Sequence, residues 1–241
     1  MKFFKSAFIN ISLTGLALIL ITSGCKIVKL NSADKEGYVR IFDGKTLRNW
    51  DGDSNYWKVE NGNLVGTVTP ATILKRNTFI IWRGGLTADF ELKVDYRISE
   101  GGNSGINYRS EEIPDLPFAL KGYQADIDGA NRYTGQNYEE RGRAFLALRG
   151  QKVVLESGKK PILESTIANS DSLKRYIKKD DWNEVHLIVK GNRMQHFING
   201  VLMSEVTDND TINRKFKGLL GVQVHVGPPM KIEYRNFRLK Q

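Results

Sequence analysis

The chain of 241 residues holds a single cysteine, Cys25, so no disulfide can form within it and the cross-linked framework of many exported domains is excluded. Long basic runs are also missing. The net charge is +9, but the longest basic runs are pairs such as Lys159-Lys160 and Lys178-Lys179. Nucleic-acid binding needs a concentrated basic stripe, so that class of partner is set aside. Histidine is scarce, with His186, His196 and His225 the full set of 3. There is no Gly-x-Ser-x-Gly elbow, no His-Glu-x-x-His and no Cys-x-x-Cys, which removes the usual signatures of elbow hydrolases and zinc sites. A strand reading Glu-x-Asp-x-x-Glu is absent too, which argues against an ordinary β-glucanase. No internal repeat or low-complexity segment appears.

What is present begins with an export signal. Lys2 and Lys5 precede a nearly uncharged apolar run over residues 7–21, and Thr22-Ser23-Gly24 supplies small residues directly before Cys25. The run is short for a membrane span and has no basic flank to stop transfer. A lone cysteine after small residues resembles a bacterial lipobox, which implies cleavage before Cys25, acylation of it and a lipid anchor in the cell envelope. Removal of residues 1–24 lowers the net charge from +9 to +7. Residues 25–37 read as a tether, and residues 38–241 as one domain.

That domain reads as strands throughout. Residues 57–60 and 63–66 flank Asn61-Gly62, a tight hairpin turn. Phe90-Glu-Leu-Lys-Val-Asp-Tyr-Arg-Ile98 alternates apolar and charged residues over its whole length. Shorter strands are predicted over 105–109 and 122–127. Arg149-Gly150 is a further hairpin candidate, between 145–148 and 153–155. Strands over 182–190, 194–198 and 201–206 follow, joined by Gly191-Asn192 and Asn199-Gly200, and then 218–226 and 231–239. Only residues 170–179 read as helix. Many strands with turn chemistry between them predict an all-β, antiparallel two-sheet sandwich. If one sheet curves, its outer face becomes a groove lined by alternate residues, suited to a sugar.

Polar side chains recur at strand spacing in four segments. Val222, Val224 and Val226 alternate with Gln223 and His225, so an amide and a histidine share one face, read either as a wet surface or as a site. Asn107 and Arg109 share a face after the glycine-rich turn 101–105. Gln124, Asp126 and Asp128 share another, with the two carboxylates about 7 Å apart along the strand, a spacing for acid–base work or a hard cation. Asp128-Gly129 is equally a turn signal. The fourth segment, Gln195-His196-Phe-Ile-Asn199-Gly200, places His196 either in the groove or as a structural histidine; with no partner in sequence the structural reading leads, as it does for His186. A separate loop, Glu139-Glu-Arg-Gly-Arg143 with Tyr133 and Tyr138, reads first as a solvated charge run.

Taken in order, Tyr38-Val-Arg-Ile-Phe-Asp-Gly, Trp57-Lys-Val-Glu-Asn-Gly-Asn-Leu64, Asn103-Ser-Gly-Ile-Asn-Tyr-Arg109, Gly122-Tyr-Gln-Ala-Asp-Ile-Asp128, Trp182-Asn-Glu-Val and Val222-Gln-Val-His-Val-Gly with Lys231-Ile-Glu-Tyr-Arg-Asn236 resemble the 3-keto-disaccharide hydrolase family. The resemblance covers the mature chain; Pro114-Asp-Leu-Pro117 and the stretch 133–143 depart from it. It implies a concanavalin A-like sandwich acting on 3-keto-glycosides: a base removes the C2 proton and the C1 substituent leaves. In that scheme His225 is base or acid, Asp126 competes for the role, and Arg109 stabilises the enolate. Asn107, Gln124 and Gln223 orient the sugar, with Asp128, Glu139 and His196 as further binding residues. The resemblance leaves open a divalent cation held by Asp126 and His225. The competing class is a lectin-like, carbohydrate-binding lipoprotein on the same sandwich.

Overall fold

The computed structural model describes residues 33–241. The signal segment 1–24, Cys25 and the tether as far as Ser32 lie outside the described residues. The short strands β1 (Val39–Arg40) and β2 (Trp50–Asp51) come first. The hairpin β3 (Trp57–Glu60) and β4 (Asn63–Val68) turns at Asn61 and Gly62, whose φ of 51° and 81° is the left-handed pair that an Asn-Gly turn supplies. Four long strands follow: β5 (Thr78–Thr87), β6 (Phe90–Ile98), β7 (Asn103–Glu112) and β8 (Leu120–Asp128). After them come β9 (Asn137–Glu140), β10 (Ala144–Ala147), β11 (Gln151–Leu155) and β12 (Ile162–Thr166). Helix α1 (Ser170–Lys174) is capped by the Asn169 side chain. It is half the predicted length because the chain tightens into i→i−3 bonds at Tyr176 and Ile177, and Asn183 then takes the Lys178 N–H. Strands β13 (Asn183–Lys190), β14 (Arg193–Ile198), β15 (Val201–Asp208), β16 (Gly218–Val224) and β17 (Met230–Lys240) complete the domain.

The strands form two stacked sheets, an all-β sandwich as expected. One runs β12-β11-β15-β14-β13-β6-β17-β4-β3 with β1 on β17; the other runs β10-β9-β8-β7-β16-β5-β2. All pairs are antiparallel except β11 with β15. Arg149-Gly150 does not close a hairpin. It is a crossover, since β10 lies in the seven-stranded sheet and β11 in the other, and Arg149 is fixed there by the carbonyls of Thr134 and Ser170.

The alternation of β6 is realised residue for residue, with Leu92 and Val94 fully buried against the inner residues Ile106, Tyr108, Tyr123 and Val222 of the opposite sheet. Burying a side chain of this size stabilises by about 1.5–3 kcal/mol, so the apolar parity of each strand decides its orientation. The outer face of the seven-stranded sheet is divided. At one end Phe79, Ile81 and Leu120 form a small second apolar cluster with Leu219, beside the segment that holds Pro114 and Pro117. The other end is polar.

Candidate active site

The polar end is a cavity of about 450 Å³. Because Tyr123, Ala125 and Ile127 of β8 face the core, Gln124 and Asp126 face outward. On β16 the same parity buries Val222 and Val224 and turns Gln223 to the outer side. Gly105 of β7 lies opposite Asp126. A Cβ there would sit 2.6 Å from the Gln124 side chain, so glycine opens the floor that Gln124 occupies. The amides then form a chain. Gln124 Nε2 donates to Asp126 Oδ1 at 2.7 Å, and Gln223 Nε2 donates to Gln124 Oε1 at 3.2 Å. Gln223 also reaches Glu140 at 3.4 Å, and Asn77 donates to Glu140 at 3.2 Å while accepting from Val226 N–H.

Asp126 is 7% exposed, and burial pushes its carboxyl up to about 8, aided by the charges of Asp128 and Glu140 and opposed by the Gln124 bond. At neutral pH this carboxyl keeps its proton. Since Oδ1 accepts from Gln124, the proton belongs on Oδ2. His225 lies just past the end of β16, its N–H bonded to Asn103 O. Its Nδ1 meets the Val226 carbonyl. A carbonyl only accepts, so Nδ1 carries the hydrogen and Nε2 is the basic nitrogen. The Asn103 side-chain amide lines the same cavity and has no partner among the described residues. Among the described residues no three His, Cys, Asp or Glu side chains are grouped to hold a metal ion. Oδ1 of Asp126 is already taken by Gln124 and Nδ1 of His225 by the Val226 carbonyl. The residues do not fit a cation bridging Asp126 and His225.

Of the residues singled out by sequence, His225, Asp126 and Gln124 line one cavity and Gln223 supports it from beneath. Others lie elsewhere. Arg109 leaves the alternation at a register shift in β7, with φ 45°. Its guanidinium is 1% exposed and bonds Ala88 O, Gly191 O, Lys215 O and Asp89, away from the cavity. Asn107 is buried one strand from Gln124 and donates to Ser110. Asp128 points into its own turn, accepting the N–H groups of Arg132, Tyr133 and Thr134 at 3.0, 2.7 and 2.9 Å. Glu139 faces the interior and is held by Arg143 at 2.7 Å. His196 lies between the sheets, bonded to Tyr108 OH at 2.8 Å, and burial lowers its pKa to about 4. Val226, expected on the apolar face, is exposed because the strand has already ended.

Sequence reasoning missed Glu140, Asn77, Asn103 and the aromatic side of the cavity. The signal for two of these was present. Tyr138 pairs with Gln124 and Glu140 with Gly122, so both share the outward face, whereas Glu139 pairs with the inward Tyr123. Taking the loop 137–140 as a strand would have selected Glu140 over Glu139. Asn77 and Asn103 carry no such pattern.

Residues 37–240 match the family model described as a 3-keto-alpha-glucoside-1,2-lyase-like domain. A protein of Bacteroides thetaiotaomicron named 3-keto-disaccharide hydrolase is 31% identical over 33% of this chain and 30% of its own length. The matched stretch thus spans less than a third of that relative. Among solved structures, a candidate glycosyl hydrolase from Parabacteroides distasonis superposes with a TM-score of 0.56 at 19% identity, covering 87% of this chain and 98% of that one. The carbohydrate-binding module CBM66 of Bacillus subtilis gives 0.53 at 15% identity, covering 80% and 96%. At such identities the likeness is one of fold. One sandwich serves a candidate enzyme and a binding module, so function rests on the site.

Proposed function

The chain belongs to the 3-keto-alpha-glucoside-1,2-lyase-like family, and from that premise we propose that it acts on carbohydrates as a hydrolase or lyase that cleaves 3-keto-glycosides. One observation carries the reading. A carboxyl held protonated, on Asp126, and a basic nitrogen, Nε2 of His225, line the same cavity. A ketone at C3 acidifies the proton at C2. His225 Nε2 takes that proton, the C2–H electrons form the C1=C2 bond, and the C1–O bond breaks. The departing oxygen takes the proton of Asp126 Oδ2. The products are an unsaturated 3-keto sugar and the free alcohol; addition of water across C1=C2 converts the first into the 3-keto sugar. Developing charge on the C3 oxygen is met by the Asn103 amide, beside His225, in the role that Arg109 is too distant to fill. Gln124, Gln223 and Glu140 hold Asp126 in place and act through it.

The test is release of the aglycone from a 3-keto-glucoside and from its unoxidised parent. The proposal expects release only from the oxidised sugar, and none from either with His225→Ala. Tight binding of the parent with no release from the oxidised sugar would make the protein a carbohydrate-binding module instead. We further propose, from the segment before Cys25, that the protein is exported and lipid-anchored in the cell envelope. Mass spectrometry of the mature protein tests this: the expected N-terminus is an acylated Cys25, and an unmodified start elsewhere contradicts it.

A further inference from the structure

The aromatic side of the cavity is not used by the chemistry above. Tyr133 and Phe145 are 39% and 42% exposed, large values for aromatic rings at the mouth of a cavity. Their centroids are 5.9 Å apart with planes 26° from parallel, so the two rings stack on one another, and Tyr138 meets Phe145 edge-on at 5.1 Å, which makes the three a fixed aromatic cluster. All three come from the stretch 133–145, which overlaps the part of the sequence that departs from the family pattern.

Topology says what this face adjoins. Across the sheet the order is β10, β9, β8, β7, β16. Phe145 is on β10, Asp126 on β8 and His225 follows β16. Asp126 therefore stands between them, two strand spacings, or about 10 Å, from each. A sugar ring between His225 and Asp126 directs its C1 oxygen to the acid, and whatever is attached to that oxygen continues over Tyr133 and Phe145. Resting on the proposed reaction, we infer that this face is the leaving-group subsite and selects alcohols that carry a ring, either a second pyranose presenting its C–H face or a phenolic ring.

Two carboxylates fix the platform from behind. Asp128 accepts the N–H of Tyr133, and Glu139 accepts the N–H of Arg143 at 2.8 Å, holding the turn that leads into Phe145. These are positioning residues, which accounts for acidic side chains that the sugar itself does not touch. Backbone N–H groups bound to a carboxylate hold the rings still and lower the cost of stacking.

The experiment compares kcat/KM for 3-keto-glucosides bearing methyl, phenyl and glucosyl leaving groups in the wild type, Phe145→Ala, Tyr133→Ala and Phe145→Tyr. The ratio of wild type to variant for each substrate cancels the intrinsic ease with which each alcohol leaves. Phe145→Ala and Tyr133→Ala are expected to lower the phenyl and glucosyl values by about three- to tenfold more than the methyl value. Phe145→Tyr, which keeps the face, is expected to restore the selectivity. Loss for phenyl alone identifies a phenolic leaving group, and loss for glucosyl alone a sugar. An equal loss for all three substrates overturns the subsite while leaving the reaction standing. If the wild type turns over none of them, the methyl substrate included, both the reaction and the subsite fall.

Discussion

Glu139 and Glu140 are neighbours on β9, equally buried, and opposite in meaning. Glu139 joins Asp208 and Asp210 around Arg143, whose nitrogens lie 2.7, 2.7 and 3.2 Å from the three carboxylates, with Tyr123 OH donating to Asp208 at 2.6 Å. Glu140 is met by the amides of Asn77 and Gln223, and its only cation among the described residues, Arg141, stays 3.8 Å away. The inner cluster compensates its charges as it buries them, and so builds structure. The outer one buries two acids without matching positive charge, and burial, with the charges of Asp128 and Glu140 added, keeps the proton on one of them, Asp126. A buried carboxylate without a matched cation, opening into a cavity, is the mark of a working group.

The contrast can be broken in several ways, the largest expected effect being on catalysis at the outer cluster. His225→Ala and Asp126→Asn should each lower kcat on a 3-keto-glucoside by about 10²- to 10⁴-fold, His225→Ala with little change in melting temperature and Asp126→Asn with no loss of it at neutral pH. Normal turnover in both would dissolve the distinction. At the inner cluster, Arg143→Met should cost about 3 kcal/mol in urea unfolding, since it strands three acids, whereas Arg141→Met should shift stability by less than about 0.5 kcal/mol.

A pH series sharpens the same point. Asp126 holds its proton to about pH 8 when folded but releases it near its ordinary 3.8 when unfolded. The folded state binds the extra proton in that window, so unfolding free energy should fall as pH rises from about 4 to 8 and level above it. The Asp126→Asn variant should lack that slope, and the loss of wild-type turnover above pH 8 should vanish with it; an unchanged slope would assign the titration elsewhere. The smallest effect on catalysis is expected of Gly105→Ala. Its Cβ would meet Gln124 at 2.6 Å, displacing the amide that holds Asp126. About a tenfold loss of kcat is expected, with about 1–2 kcal/mol of destabilisation; full activity would make the Gln124 bond incidental.

Much of this was legible in sequence because it depends on parity. The alternation of β6, the Asn-Gly turn and the outward set Gln124–Asp126 follow from which residues must be dry, and the structure repeats them. The failures share a cause: parity holds only while a strand continues. Arg109 is lost at a bulge, Val226 lies beyond the end of β16, and Asp128 turns inward to a loop. Arg149-Gly150 has turn chemistry but joins two sheets, a choice made by partners distant in sequence. Glu139 and Glu140 are told apart only by strand parity, which a charged loop does not have and β9 does.

The central claim is that the outer cluster removes a proton from C2, and deuterium at that position tests it most directly. A 3-keto-glucoside deuterated at C2 is turned over in ordinary water, with the free deuterated 3-keto sugar as a control for spontaneous exchange. Release should be slowed by the heavier isotope, and the sugar product should have lost its deuterium to solvent faster than the control. His225→Ala should show neither release nor exchange. A product that retains its deuterium, formed at the same rate as the light substrate, would contradict proton abstraction and point to direct displacement at C1.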